Sequence, residues 1–130
     1  FKNILEDEKL SKFKSHIYDH VYYFSKNVLK KEQAIMGESW FQVYKKNNYH
    51  GLHIHGIDEN CWSLIYYVEV SVDSAKTIIF SPGYPYVPEI KKIVKPVKNK
   101  LVIFPSYFPH QVELNKDKNR IILSANFKSI

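Results

Sequence analysis

The feature that most limits the fold is a change of period at Gly37. No glycine precedes it, and no proline precedes Pro82. Within that unbroken first stretch, apolar residues recur at Leu10, Phe13, Ile17, Val21, Phe24 and Val28. Spacings of three and four align them on one stripe of an α-helix of about five turns. Beyond Gly37 the period becomes two. In "SWFQVYKK", Trp40, Gln42 and Tyr44 alternate with Phe41, Val43 and Lys45. The segments "SLIYYVEV" (63–70), "TIIF" (77–80), "KLVIFPS" (100–106) and "RIILSANF" (120–127) are β-branched and aromatic, as strands are. Turn residues separate them: "SPGYPYVPEI", Asn99 and "NKDKN". One helix followed by a run of strands predicts a mostly β, antiparallel sandwich or barrel with the helix packed on an outer face. A single domain over 1–130 is expected, helical over about 4–31 and β over about 38–128.

Composition narrows the setting. With 45% hydrophobic and 15% aromatic residues the chain builds a packed core and is not disordered. The single cysteine, Cys61, excludes an internal disulfide framework, fits a reducing compartment, and reads as a small packed residue. No signal-peptide pattern and no apolar run near 18 residues occurs, so a soluble protein in the cytoplasm of a bacterium, or of a host cell if phage-encoded, is expected. Residue 1 is Phe, which suggests that the natural start lies upstream. The net charge of +6 has its densest cluster at Lys91, Lys92, Lys95, Lys98 and Lys100, read as a solvated loop before a strand. No nucleic-acid motif accompanies it.

Two features point to chemistry. The stretch "YHGLHIHG" (49–56) places three of six histidines within six positions. His53 and His55 stand at i and i+2, which on a strand share one face. His110 ends "KLVIFPSYFPH" after a Pro-rich turn, so it and the HxH pair are able to meet at one mouth of a barrel. Imidazole suits Fe, Zn, Cu and Ni alike, so the ligand type does not name the metal. His16 and His20, one helical turn apart without a zincin glutamate, read as surface or core-edge histidines. The second feature is Arg120, the one arginine beside eighteen lysines. A guanidinium grips a carboxylate with two parallel hydrogen bonds and holds its charge when buried.

The pieces "WFQVYKKNNYHGLHIHG", "SLIYYVEV", "KLVIFPSYFPHQV" and "NRIILSANF", from about Trp40 to Phe127, resemble the 2-oxoglutarate/Fe(II)-dependent oxygenases, in the small branch common in bacteria and phages. The resemblance implies a double-stranded β-helix, of jelly-roll or cupin-like form, with Fe(II) at its open end. It implies His53 and His110 as catalytic iron ligands. His55 stands where many such enzymes carry Asp or Glu and is read as the third ligand, with Asp58 and Glu59 as alternative carboxylates. It implies Arg120 on the distal carboxylate of 2-oxoglutarate, with Ser124 and Asn126 on the same side of that strand and Tyr44 and Gln42 on an early strand that often contacts the cosubstrate. Dioxygen and an unidentified primary substrate complete the expected partners; neither a membrane nor nucleic acid is indicated. Tyr84, Tyr86 and Tyr107 are candidates for the substrate entrance. The chain departs from the branch at Leu64, where Gly usually follows Ser, and at Gly56, where Pro usually follows HxH. Two alternatives stay open. A cupin-type metal dioxygenase or isomerase would use His53, His55, Glu59 and His110 but gives Arg120 no role. An inactive β-barrel binding module would keep only the fold.

Overall fold

The computed structural model describes residues 3–83, 86–87 and 90–130. Two 3₁₀ turns, Ile4–Glu6 and Glu8–Leu10, lead into α1 (Ser11–Tyr23). Asn3 and Asp7 cap the turns by accepting from Leu5 N and Lys9 N at 3.1 and 2.9 Å. The expected five turns are present with a different ending: Phe24–Val28 widens to a π turn. Ser25 is buried there, donating to Gln33 O at 3.1 Å and bonded to Ser129 of the last strand. Helical structure therefore stops at Val28, short of residue 31.

Among the described residues eight strands follow: β1 (Ala34–Tyr44), β2 (His50–His53), β3 (Cys61–Glu69), β4 (Thr77–Phe80), β5 (Lys91–Val94), β6 (Leu101–Pro105), β7 (His110–Val112) and β8 (Arg120–Ser129). They form two four-stranded antiparallel sheets, ordered β1-β8-β3-β6 and β2-β7-β4-β5. This is the expected mostly β, jelly-roll architecture with one N-terminal helix. The central strands of the first sheet, β8 and β3, are buried on both faces, which is why they read as near-continuous apolar runs. On β8, Leu123, Ala125 and Phe127 pack outward against Ile17 and Val21 of α1. Ile122 instead joins Tyr44, Ile65, Tyr67, Val94, Phe104 and Val112 between the sheets. Among the described residues no helix is long and apolar enough to cross a membrane.

Two strands were not legible beforehand. β5 begins inside the lysine cluster taken as a loop, and Lys91, Lys92 and Ile93 are exposed on it. It is an edge strand, where lysines discourage pairing with other chains. Of the remaining cluster, Lys98 lies 3.8 Å from Glu69, and Lys100 Nζ donates to Lys95 O at 2.8 Å. β7 has only three residues, too few for a visible period.

Candidate metal centre

Register brings the histidines together. β2 and β7 pair so that His53 lies directly opposite His110. His55 is not on the strand: β2 ends at His53, so the shared-face argument for i and i+2 does not operate. A bend takes its place. The Ser106 carbonyl, in the turn after β6, accepts from both His55 N (2.9 Å) and Gly56 N (3.3 Å). The "FPS" turn and the "HIHG" stretch thus hold each other. Trp40 of β1 stacks on the His55 ring at 5.8 Å and 9°.

The result is a trio. One ligand atom from each of His53, His55 and His110 lies within 4.8 Å of the others. His53 Nε2 and His55 Nε2 are 3.2 Å apart. Metal–imidazole bonds of about 2.1 Å put neighbouring ligand atoms about 3.0 Å apart on an octahedral ion and about 3.4 Å on a tetrahedral one. Backbone carbonyls set the tautomers. His53 Nδ1 donates to Gly51 O at 2.7 Å, and His110 Nδ1 to Phe108 O at 3.0 Å. Each Nε2 is thereby the unprotonated nitrogen, the form in which histidines bind metals. Burial above all pushes His110 down to about 3 and His55 down to about 4, with His53 adding to both. Both rings are neutral at pH 7, as ligands must be. The donor set fits Fe(II), among other divalent ions.

The two carboxylates held as alternatives stand elsewhere. Asp58 accepts from Asn60 N at 2.8 Å and lies 3.5 Å from Lys128 Nζ, and Glu59 is exposed on the turn before β3. Neither joins the histidine group.

Arg120 opens β8, directly across the ladder from Tyr44 of β1. It is wholly buried. Its Nε donates to Ala75 O at 2.9 Å and its Nη2 to Thr77 Oγ1 at 2.8 Å. The rings of Tyr44 and Tyr67 flank the guanidinium at 4.7 and 5.4 Å. Tyr67 OH and Thr77 Oγ1 are bonded at 2.9 Å, which fixes the clamp. Nη1 is buried without a hydrogen-bond partner. No carboxylate among the described residues pairs with Arg120. A buried cation with a spare donor is complementary to an anion, and the two carboxylates of 2-oxoglutarate fit that demand.

Beside the trio lies a small pocket of about 20 Å³; Arg120 does not line it, but Tyr44, whose ring covers the guanidinium, does. Gln42, Tyr44 and Ser124 line it together with the trio. Asn126 lies farther out, in a wider hollow of about 520 Å³ that also takes in Glu38, Trp40 and Ile54. Asn126 Oδ1 accepts from Ser63 Oγ at 2.8 Å. The expected tyrosine entrance takes a different form. Tyr86 is exposed, and Tyr107 packs beside Phe108 at 5.3 Å. Neither lines these hollows; Tyr84 lies outside the described residues. Sequence reasoning missed Thr77, Tyr67 and the Ala75 carbonyl around Arg120. It also missed Asn115, which is wholly buried and ties Tyr44 O, Ala75 N and Lys118 O together at 3.1 Å each. Only proximity in the fold reveals these partners.

A jelly roll with three converging imidazoles beside a small pocket and a buried, half-satisfied guanidinium behind Tyr44 is compatible with a mononuclear metal enzyme. The chain belongs to the family described as "Putative 2OG-Fe(II) oxygenase", whose profile matches residues 38–126, and is by that membership an oxidoreductase. Solved structures share the fold. A Pseudomonas putida prolyl-4-hydroxylase aligns at 18% identity and TM-score 0.67, covering 100% of this chain and 71% of that one. A Burkholderia pseudomallei oxidoreductase of the 2OG-Fe(II) oxygenase family aligns at 13% and 0.64, covering 98% and 56%. A Trichoplax adhaerens prolyl hydroxylase, in complex with a hypoxia inducible factor oxygen degradation domain peptide fragment, aligns at 16% and 0.70, covering 98% and 61%. The chain therefore spans a little over half to about seven tenths of these proteins. No curated protein matches the sequence.

Proposed function

We propose that residues 1–130 form one oxygenase domain that uses Fe(II) and 2-oxoglutarate to hydroxylate a C–H bond, releasing succinate and CO2. His53, His55 and His110 hold the metal through Nε2. Arg120 takes the distal carboxylate of 2-oxoglutarate on its spare Nη1, while Tyr44, Gln42 and Ser124 line the diacid's path and Asn126 lies nearer the mouth. Bound together, the metal and the oxo-acid supply dioxygen activation and C–H oxidation. The chain's own contribution is placement. Backbone carbonyls fix two imidazole tautomers, and the Tyr44–Arg120–Tyr67 stack keeps water from the guanidinium. A protein side chain or a small molecule is the target, and the peptide bound to the Trichoplax adhaerens relative favours the former.

The observation that carries the reading is the pairing of three close imidazole nitrogens with a buried arginine that has a donor to spare. An anaerobic titration with Fe(II) and then 2-oxoglutarate, followed by a succinate-release assay without primary substrate, tests it. One equivalent of each bound, and succinate formation that requires both, is expected. Succinate formed without a need for iron, or iron bound with no response to 2-oxoglutarate, would overturn it. The latter result would favour the cupin reading.

A further inference from the structure

The remaining histidine of the stretch, His50, has no part in the ligand trio, yet a backbone irregularity brings it there. On β2 the residues opposite Val112 and His110 are His50 and His53. Two steps along β7 are thus matched by three along β2, and the extra residue is a β-bulge. In an even strand, residues three apart face opposite sides of the sheet. The bulge returns His50 to the face of His53, and their rings stack at 3.9 Å and 16°. The same bulge delivers the Gly51 carbonyl that fixes the His53 tautomer.

The other side of His50 meets Tyr44, whose hydroxyl lies 3.4 Å from His50 Nδ1. The Tyr44 ring in turn covers Arg120. A continuous chain of contacts, Arg120–Tyr44–His50–His53, therefore links the buried guanidinium to the trio, and Tyr44, His50 and His53 line the pocket.

We infer that His50 is a positioning residue: by stacking on His53 and meeting the Tyr44 hydroxyl, it sets the trio and the buried guanidinium in register. This rests on the trio being the metal centre. His50 acts in two separable ways. The flat ring limits rotation of His53, so it supports metal affinity. The contact with Tyr44 holds that side chain over the guanidinium, so it supports 2-oxoglutarate affinity.

Substitution separates the two. His50→Ala removes both, whereas His50→Phe keeps a flat ring and loses the ring nitrogen. Dissociation constants for Fe(II), and for 2-oxoglutarate on the iron-loaded protein, are measured anaerobically for the full chain. Circular dichroism in parallel verifies folding. His50→Ala is expected to weaken iron binding about 10- to 100-fold, the usual effect of removing a residue that orients a ligand. His50→Phe is expected to restore iron binding to near wild type while 2-oxoglutarate binds about three- to tenfold more weakly. Tyr44→Phe should match that loss, and the double variant should be no worse than either single one. Iron and 2-oxoglutarate affinities unchanged in His50→Ala, or a folded His50→Phe as poor in iron binding as His50→Ala, would overturn the inference. His110→Ala separates this failure from that of the trio. If His110→Ala still binds stoichiometric iron, the trio reading fails and the role of His50 falls with it. If His110→Ala loses iron while His50→Ala does not, only the role of His50 falls.

Discussion

Replacing Arg120 with lysine keeps the charge and removes the fork. The wild-type side chain spends Nε on Ala75 O and Nη2 on Thr77 Oγ1, leaving Nη1 for a ligand. A lysine ammonium held by the same two acceptors presents its last proton along a different line, so the charge-assisted bond to the diacid is lost or badly bent. Such a bond is worth about 1.5–3 kcal/mol, which is about 10- to 150-fold in Kd. Thermal shift makes this measurable. At 2-oxoglutarate near 100 times the wild-type Kd, binding stabilises the iron-loaded protein by about 2.7 kcal/mol. For a thirtyfold weaker Kd the same concentration gives about 0.9 kcal/mol. At about 3–4 °C per kcal/mol for a chain of this size, the ligand-induced rise in Tm falls from about 9 °C to about 3 °C. The metal-induced rise should be equal in the two proteins, because Arg120 touches no histidine of the trio. A variant with the full 2-oxoglutarate shift would remove Arg120 from the diacid's binding site. A variant that loses the metal shift as well would show that the two sites are not separable.

Three further outcomes follow from the same contacts. His55→Asp exchanges a neutral ligand for a carboxylate at a position that the Ser106 carbonyl holds through backbone alone; iron content should remain stoichiometric, and an iron-free variant would show that the imidazole's reach is indispensable. Asn115→Ala leaves Ala75 N and Tyr44 O without their partner in a buried setting; a loss of about 2–4 kcal/mol is expected in urea unfolding, and a loss below about 1 kcal/mol would show that water replaces the side chain. Ile17→Ala cuts the contact of α1 with Leu123, Ala125 and Phe127; it should cost about 2–4 kcal/mol while leaving iron affinity unchanged, and an altered affinity would mean that the helix supports the pocket.

Much of this was legible because burial writes itself into sequence period. The helix stripe from Phe13 to Phe24, the alternation at Trp40, Gln42 and Tyr44, and the strand at "RIILSANF" each appear as predicted. Period 2 also placed Ser124 on the pocket side of β8. What failed to show has physical causes. β5 carries lysines because it is an edge strand, and lysines read as a loop. His55 lies beyond the end of β2, and a hydrogen bond from a distant turn, not strand parity, aims it. His50 reaches the trio only through a bulge, which shifts parity without changing composition. The clamp on Arg120 comes from residues more than forty positions away, which spacing along the chain does not encode.

The central claim is that three imidazoles share one ion and that Arg120, behind the Tyr44 ring, takes the distal carboxylate of 2-oxoglutarate. A crystal structure of the chain grown anaerobically with Fe(II) and 2-oxoglutarate, with iron located by anomalous scattering, tests it most directly. The account predicts a single iron peak about 2.1 Å from an Nε2 of each of His53, His55 and His110, with a carboxylate of 2-oxoglutarate on Arg120 Nη1. An iron peak bound through Asp58 or Glu59 in place of His55, or a diacid seated away from Arg120, would contradict it.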